Sequence, residues 1–202
     1  MNKKQILILH GGGSYESQDK FLESLKLKDL DFVKGKNWKD WLSWSLEENF
    51  EVIYPRFPNS NSANYEVWKL WLEKHFSLLK DDITIIGHSL GTIFIMKYLL
   101  ENKFPIKIKE IHLVAPIVSN SFQPESDPEQ TGTFTFNFEN AKDLEGMCGQ
   151  IFVWHSSDDE MCDYKNAQFL KKEIPNLILN TFSDRGHFQQ STFPEIFDHF
   201  RK

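Results

Sequence analysis

Three short stretches carry residue types that could do covalent chemistry together. The first is "DDITIIGHSLGTIFIMKYLL", residues 81–100, in which Ser89 stands between Gly87 and Gly91. An apolar run, a Gly-X-Ser-X-Gly core and a second apolar run read as strand, sharp turn and helix, a geometry that exposes a serine while small residues relieve the crowding of the turn. A serine hydroxyl is a weak nucleophile at neutral pH. It needs a base within hydrogen-bond reach, an acid to orient that base, and N–H donors for the oxyanion that forms.

The acid is sought after the apolar run "QIFVWH", which continues into "SSDDEMCDY". Asp158 and Asp159 both qualify, with turn formation and helix capping as their ordinary alternatives. Asp159 is favoured because it lies deeper in the loop and is followed by the apolar Met161 and Cys162, which can anchor the segment. The base is sought among seven histidines. His187, in "SDRGHFQQ", follows both the serine and the acid in a Gly-containing loop, giving the order Ser, Asp, His. His75 and His199 fall in helical segments, His112 within a strand, and His155 before the acid. His88 adjoins Ser89, and neighbours at a sharp turn point different ways, so His88 reads as a pocket wall or a packing residue.

Two oxyanion donors are expected: the backbone N–H of Leu90 at the start of the helix after the serine, and one from "HGGGS", residues 10–14. Gly12 is the best single choice in that loop, with His10, Gly11 and Gly13 as pocket neighbours. Neither GxGxxG nor GxxxxGK[ST] is present, which removes the phosphate-cradle reading of the glycines. The acidic cluster at 158–163 lacks the Asp-x-Asp-x-Asp-Gly pattern of a calcium loop. No metal and no cofactor are expected.

These residues must be held at the ends of regular elements. Short apolar, β-branched runs at 5–9, 51–54, 82–86, 108–114, 150–154 and 176–182 suit strands buried on both faces of a parallel sheet. Helical segments are expected at 37–48, 64–79, 90–102, 163–173 and 193–201, so strands alternate with helices in an α/β arrangement. In the second of these, Val67, Leu70, Trp71 and Phe76 recur at helical spacing and read as core. Trp38, Trp41 and Trp44 recur every three residues, either as an exposed binding patch or, more economically, as a face buried on the sheet. Segments 14–36 and 119–147 fit neither pattern and follow strand ends, where open α/β sheets place their sites. Within the second, Phe134, Phe136 and Phe138 alternate, as a short strand, an aromatic wall over a pocket, or a loop pinned by its rings.

With 202 residues the chain suits a single domain, residues 1–202. A net charge of −6 argues against binding nucleic acid or anionic membranes. The longest apolar runs are too short for a membrane span, and the N-terminal run Ile6 to Leu9 is too short for a signal sequence. Two cysteines suit a reducing, cytoplasmic setting.

The chain resembles the small serine hydrolases grouped with retinoblastoma-binding protein nine and the bacterial YdeN-type hydrolases. The resemblance rests on "ILHGGG", "NWKDWLSWSLEE", "RFPNSNSANYEVWKLWL", "IIGHSLG", "HSSDDEMC" and "DRGHFQQSTFPEI" in that order. It implies a compact α/β-hydrolase fold with a six-stranded, mainly parallel sheet and little or no lid. It also implies Asp159 as the acid, His187 as the base, and hydrolysis of a small acyl ester. The Leu-x-Cys-x-Glu motif of retinoblastoma binding is absent, since "LEGMC" does not match it, so no such partner is implied. The expected activity is a carboxylesterase-like serine hydrolase. Amidase, thioesterase or peptidase chemistry on the same residues, or a non-catalytic binding role, are its alternatives.

Overall fold

The computed structural model describes residues 3–27, 37–118, 122 and 131–201. Six strands form one sheet: β1 Lys4–Leu9, β2 Phe50–Ile53, β3 Ile83–His88, β4 Ile108–Val114, β5 Cys148–Ser156 and β6 Ile178–Phe182. Their order is β2-β1-β3-β4-β5-β6, and every pairing is parallel. Among the described residues six α-helices connect or flank them: α1 Gln18–Leu27, α2 Trp38–Leu46, α3 Tyr65–His75, α4 Leu90–Glu101, α5 Lys165–Glu173 and α6 Pro194–Arg201.

Helices cover both faces of the sheet, which is why its strands read as unbroken apolar runs. Successive side chains of β1 point to opposite faces. Leu7 and Leu9 join a core with Trp68 and Leu72 of α3, Ile93 and Phe94 of α4, and Leu170 of α5. Ile6 and Ile8 join a second core with Trp38, Leu42 and Leu46 of α2 and Ile196 of α6. Helix α4 is buried from Leu90 to Leu99, all round, so its sequence is largely apolar instead of amphipathic, and its buried Lys97 donates to the Thr133 and Thr135 carbonyls.

β3 and β5 run further than their apolar stretches. β3 keeps its pairing through Gly87 and His88, opposite Leu113 and Val114, and β5 continues through His155 and Ser156, opposite Thr181 and Phe182. Backbone pairing needs no apolar side chain, so the strand ends carrying the polar residues lie beyond the hydrophobic pattern.

Several expectations are corrected. Segment 14–36 contains helix α1, whose only buried residue is Ser24; a helix lying mostly in solvent leaves no strong apolar stripe. Residues 28–36 lie outside the described residues, as do 119–121 and 123–130, and with them part of the little-or-no-lid expectation. On α3 the buried face is Tyr65, Trp68 and Leu72, whereas Val67 and Leu70 are exposed and Trp71 and Phe76 half-buried. The buried set follows the i, i+3, i+7 pattern and lies on another side of the helix from Val67 and Leu70. Phe134, Phe136 and Phe138 form no strand. Phe134 ends a 3-10 turn, Gly132–Phe134, buried against Trp68 with ring centroids 5.2 Å apart. Phe136 and Phe138 line a separate cavity of about 440 Å³ with Phe122 and Phe169.

The tryptophans of α2 also divide. Trp38 is fully buried and donates its indole N–H to the Phe188 carbonyl at 2.9 Å, Trp41 is half-buried, and Trp44 is 66% exposed. Three residues turn a helix through about 300°, so each step slips by some 60° and the third ring has left the buried face. Trp38→Ala is expected to destabilise the protein by about 3–5 kcal/mol through lost burial and a cavity. Trp44→Ala should stay within about 0.5 kcal/mol of wild type. Urea unfolding of both variants reads the contrast.

Candidate active site

The turn between β3 and α4 holds Ser89 at φ 52°, ψ −123°, a backbone state that ordinary side chains avoid at a cost of about 1–3 kcal/mol. The surrounding backbone fixes it: Ser89 N–H donates to the Val114 carbonyl at 3.0 Å, and the Ser89 carbonyl accepts from Thr92 N–H and Thr92 Oγ1 at 2.8 and 2.6 Å. The flanking glycines answer to close approach. A Cβ on Gly91 would lie 2.6 Å from the Leu9 carbonyl oxygen, and one on Gly87 2.9 Å from that of Gly91. The turn therefore packs directly on the end of β1, bringing the glycine loop 11–13 beside the serine.

That loop is tied to the segment after β2. Gly13 N–H donates to the Ser60 carbonyl at 2.9 Å, and Ala63 N–H to the Gly13 carbonyl at 2.8 Å. A Cβ on Gly12 would stand 2.4 Å from the Ser60 oxygen. His10 braces the loop in one tautomer: Nδ1–H donates to the Gly11 carbonyl at 2.6 Å, and Nε2 accepts from Phe57 N–H at 2.8 Å. Burial, reinforced by the nearby Arg56 and Lys39 charges, lowers its pKa and keeps it neutral.

After β5, Asp159 turns inward and its carboxylate is fully buried. Its Oδ1 accepts from the N–H groups of Met161 and Cys162, each at 2.9 Å, and His187 Nδ1–H reaches its two oxygens at 2.9 and 3.1 Å. Burial alone would raise this carboxyl, but hydrogen bonds from His155 and His187 outweigh it and hold the group below the ordinary carboxylate range. Asp158 is exposed and faces elsewhere. It accepts from Ser156 Oγ and, at 3.0 Å, from Gly186 N–H, so it joins the acid loop to the histidine loop without meeting the imidazole.

His187 stands between two residues of positive φ, Gly186 (50°) and Phe188 (51°). Its loop is held from two sides: His88 Nε2–H donates to the His187 carbonyl at 3.0 Å, and the Trp38 indole donates to the next carbonyl. His88 is thus both a wall of the site and a clamp on the His187 backbone. With Nδ1 turned to Asp159, the free nitrogen of His187 is Nε2.

Ser89 and His187 face one cavity of about 450 Å³. His10, Gly11, Gly12, Gly13 and His88 line it as expected, whereas Leu90 and Asp159 lie behind its wall. Leu90 opens α4, where the first N–H groups have no intrahelical acceptor. Lys39, Arg56, Phe57, Ser60, Asn61 and Met161 complete the lining. Five of these six come from α2 and the β2–α3 connection, with no local motif to announce them. None of the described residues of segments 14–36 and 119–147 lines this cavity; the rest of both segments, 28–36, 119–121 and 123–130, lies outside the described residues.

Among the described residues two side-chain groups have metal-ligand composition, Glu110-His112-His199 and Asp159-Cys162-His187. In the first, Trp154 Nε1–H donates to His112 Nδ1 at 3.1 Å, so Nε2 carries the proton that points to Glu110 and has no lone pair for an ion. In the second, the Asp159 oxygens are already engaged by N–H donors. Neither arrangement fits a resident metal.

The family model described as serine hydrolase matches residues 33–199. The chain belongs to the serine hydrolase family. It is 27% identical over 170 residues to serine hydrolase RBBP9 of Rattus norvegicus, covering 81% of this chain and 84% of that one. Among solved structures it is similar to the ydeN gene product of B. subtilis, with a TM-score of 0.76, 20% identity and coverage of 98% and 97% of the two chains. It is also similar to 2-hydroxy-6-oxo-6-phenylhexa-2,4-dienoate hydrolase of Rhodococcus sp. strain RHA1, with a TM-score of 0.64, 17% identity and coverage of 99% and 91%. The fold is that of the α/β-hydrolases, with a six-stranded parallel sheet flanked by helices. Among the described residues no helix is long and apolar enough to cross a membrane.

The lowered Asp159 carboxyl makes a stability prediction. Its contribution is present in full above the unfolded-state value of about 4 and is lost as pH falls below it. Asp159→Asn removes that contribution, so unfolding free energy, measured by urea melts from pH 7 to pH 2.5, should fall less steeply with acid in the variant than in wild type.

Proposed function

We propose that the protein is a carboxylesterase-like serine hydrolase acting on a small acyl ester, with Ser89 as nucleophile, His187 as base and Asp159 as the acid that orients it. The observation carrying this reading is the pairing of a buried Asp159 carboxylate with His187 Nδ1 at 2.9 Å, while His187 shares one cavity with Ser89 on its strained turn.

In the reaction, Ser89 Oγ attacks the carbonyl carbon as its proton passes to His187 Nε2. The oxyanion of the tetrahedral intermediate accepts hydrogen bonds from the N–H groups of Leu90 and Gly12. The bond to the alcohol oxygen breaks as His187 returns the proton to it, leaving an acyl-Ser89. Water then repeats the sequence, releasing the acid and restoring the serine. Asp159 stays ionised throughout, holding the imidazole with Nε2 free and stabilising its charged form. Gly12 is preferred over Gly13 as second donor because the Gly13 N–H is already given to Ser60. No step calls on a metal or cofactor. A chain with only two cysteines, Cys148 and the buried Cys162, suits a reducing setting such as the cytoplasm.

A fluorophosphonate probe is expected to label wild type on Ser89 and to leave Ser89→Ala unlabelled; folded wild type that resists labelling sinks the reading. With a 4-nitrophenyl ester, Asp159→Asn should lower kcat by about 10⁴-fold. Asp158→Asn, which loosens two loop hydrogen bonds, should cost about tenfold or less. The reverse ranking would reassign the acid. Gly12→Ala puts a methyl group against the Ser60 carbonyl and is expected to lower kcat by about 10²-fold or more by displacing the oxyanion loop, read on the same ester.

A further inference from the structure

The cavity in front of Ser89 is lined by basic side chains and, among the described residues, by no carboxylate, in a chain of net charge −6. Two cations line it, and they are held differently. Arg56 is already neutralised: its guanidinium pairs with Asp40 at 2.7 Å and lies over the Tyr54 ring at 4.2 Å. Asp40 is fixed in turn by Asn37 Nδ2–H at 2.6 Å. Lys39 is only 9% exposed. Its ammonium donates to His88 Nδ1 at a long 3.5 Å and sits 4.8 Å from the Trp38 ring centre. Among the described residues no carboxylate pairs with it.

A buried ammonium without a counter-ion is destabilising where an apolar side chain would not be. Burial pulls the Lys39 pKa down to about 8, with repulsion from Arg56 outweighed by attraction to Asp40; the group still carries its proton at neutral pH. The charge lines the same cavity as the reacting serine. A Cβ placed on Gly11 would stand 3.0 Å from Ser89 Cβ and 3.4 Å from His88 Nδ1, and that same ring nitrogen is the one Lys39 Nζ approaches.

We propose that the substrate is a carboxylate-bearing ester, its anionic group bound by the Lys39 ammonium a short distance from the carbonyl that Ser89 attacks. Arg56 and Asp40 cancel each other, leaving Lys39 as the lining cation that no carboxylate among the described residues pairs with, which matches a monoanion. The carboxylate exchanges the weak contact to His88 for charge-assisted hydrogen bonds in a partly desolvated cavity. The cleavage step rests on the hydrolase reading, whereas the anion site stands on its own geometry.

The test pairs 4- and 3-acetoxybenzoate with 4- and 3-acetoxybenzamide, near-isosteres differing in charge, each rate being divided by that of hydroxide-catalysed hydrolysis. Wild type should prefer the carboxylates in kcat/KM by about tenfold or more. Lys39→Met should bring the ratio to about one, and Lys39→Arg should keep part of the preference. Because the read-out is a ratio, an effect on Ser89 chemistry common to both substrates cancels. A ratio near one in wild type, or an unchanged ratio in Lys39→Met, overturns the proposal.

Calorimetric titration of Ser89→Ala with 4- and 3-hydroxybenzoate and the matching hydroxybenzamides reads the anion site without turnover. Carboxylate-selective binding that disappears on adding Lys39→Met, in a wild type that cleaves none of the esters, would keep the anion site and discard the hydrolase reading. Cleavage of all four esters without carboxylate selectivity in rate or binding would do the opposite.

Discussion

The rest of the structure depends on one strained turn. Ser89 is held at φ 52° between the last pair of β3 and the first turn of α4, and the conformation persists because several backbone hydrogen bonds over-determine it. The turn can sit there only because Gly91 lets α4 press against the carbonyls of Leu9 and His10. That contact sets the distance between the serine and the glycine loop, so the sheet order β1-β3-β4 and the polar geometry of the site are parts of one constraint. Helix α4, buried almost throughout, supplies the packing that keeps it from relaxing.

Around this fixed point the other groups are adjusted by hydrogen bonds to backbone atoms. His88, next to the serine in sequence, reaches across to the His187 carbonyl; Trp38 takes the neighbouring carbonyl; Asp158 takes the Gly186 N–H. The imidazole therefore stands on a loop whose backbone is held from three elements, and a turn with two positive-φ residues is kept in one shape. Asp159 carries the electrostatic side of the arrangement. Its buried carboxylate is stabilised by enough N–H donors to remain ionised, which fixes the proton on His187 Nδ1 and leaves Nε2 open.

The same economy does not extend to Lys39. Where Asp159 has its donors and Arg56 its carboxylate, Lys39 has an imidazole nitrogen at the limit of hydrogen-bond distance and the Trp38 ring, and no carboxylate among the described residues. The proposed anion would complete it in the cavity before Ser89.

Local order in the sequence determined a good deal. Both-face burial makes parallel strands into continuous apolar runs, so the six strands and the α/β alternation were legible. Gly87 and Gly91 around Ser89, the acids after β5 and the Gly-His after β6 were legible because strand ends impose residue types on their own loops. Asp159 was favoured over Asp158 from its depth in the loop, and the structure brings it to His187 Nδ1. Helix α1 and the buried face of α3 were misjudged because helical spacing marks a stripe without saying whether the sheet or water covers it. Tertiary structure alone decided the cavity wall, the clamp on the His187 loop and the unpaired ammonium of Lys39. Those depend on segments far apart in the chain, Trp38 against Phe188 and Gly12 against Ser60 among them. No local pattern encodes such contacts, since the chain must close its long loops before the partners exist.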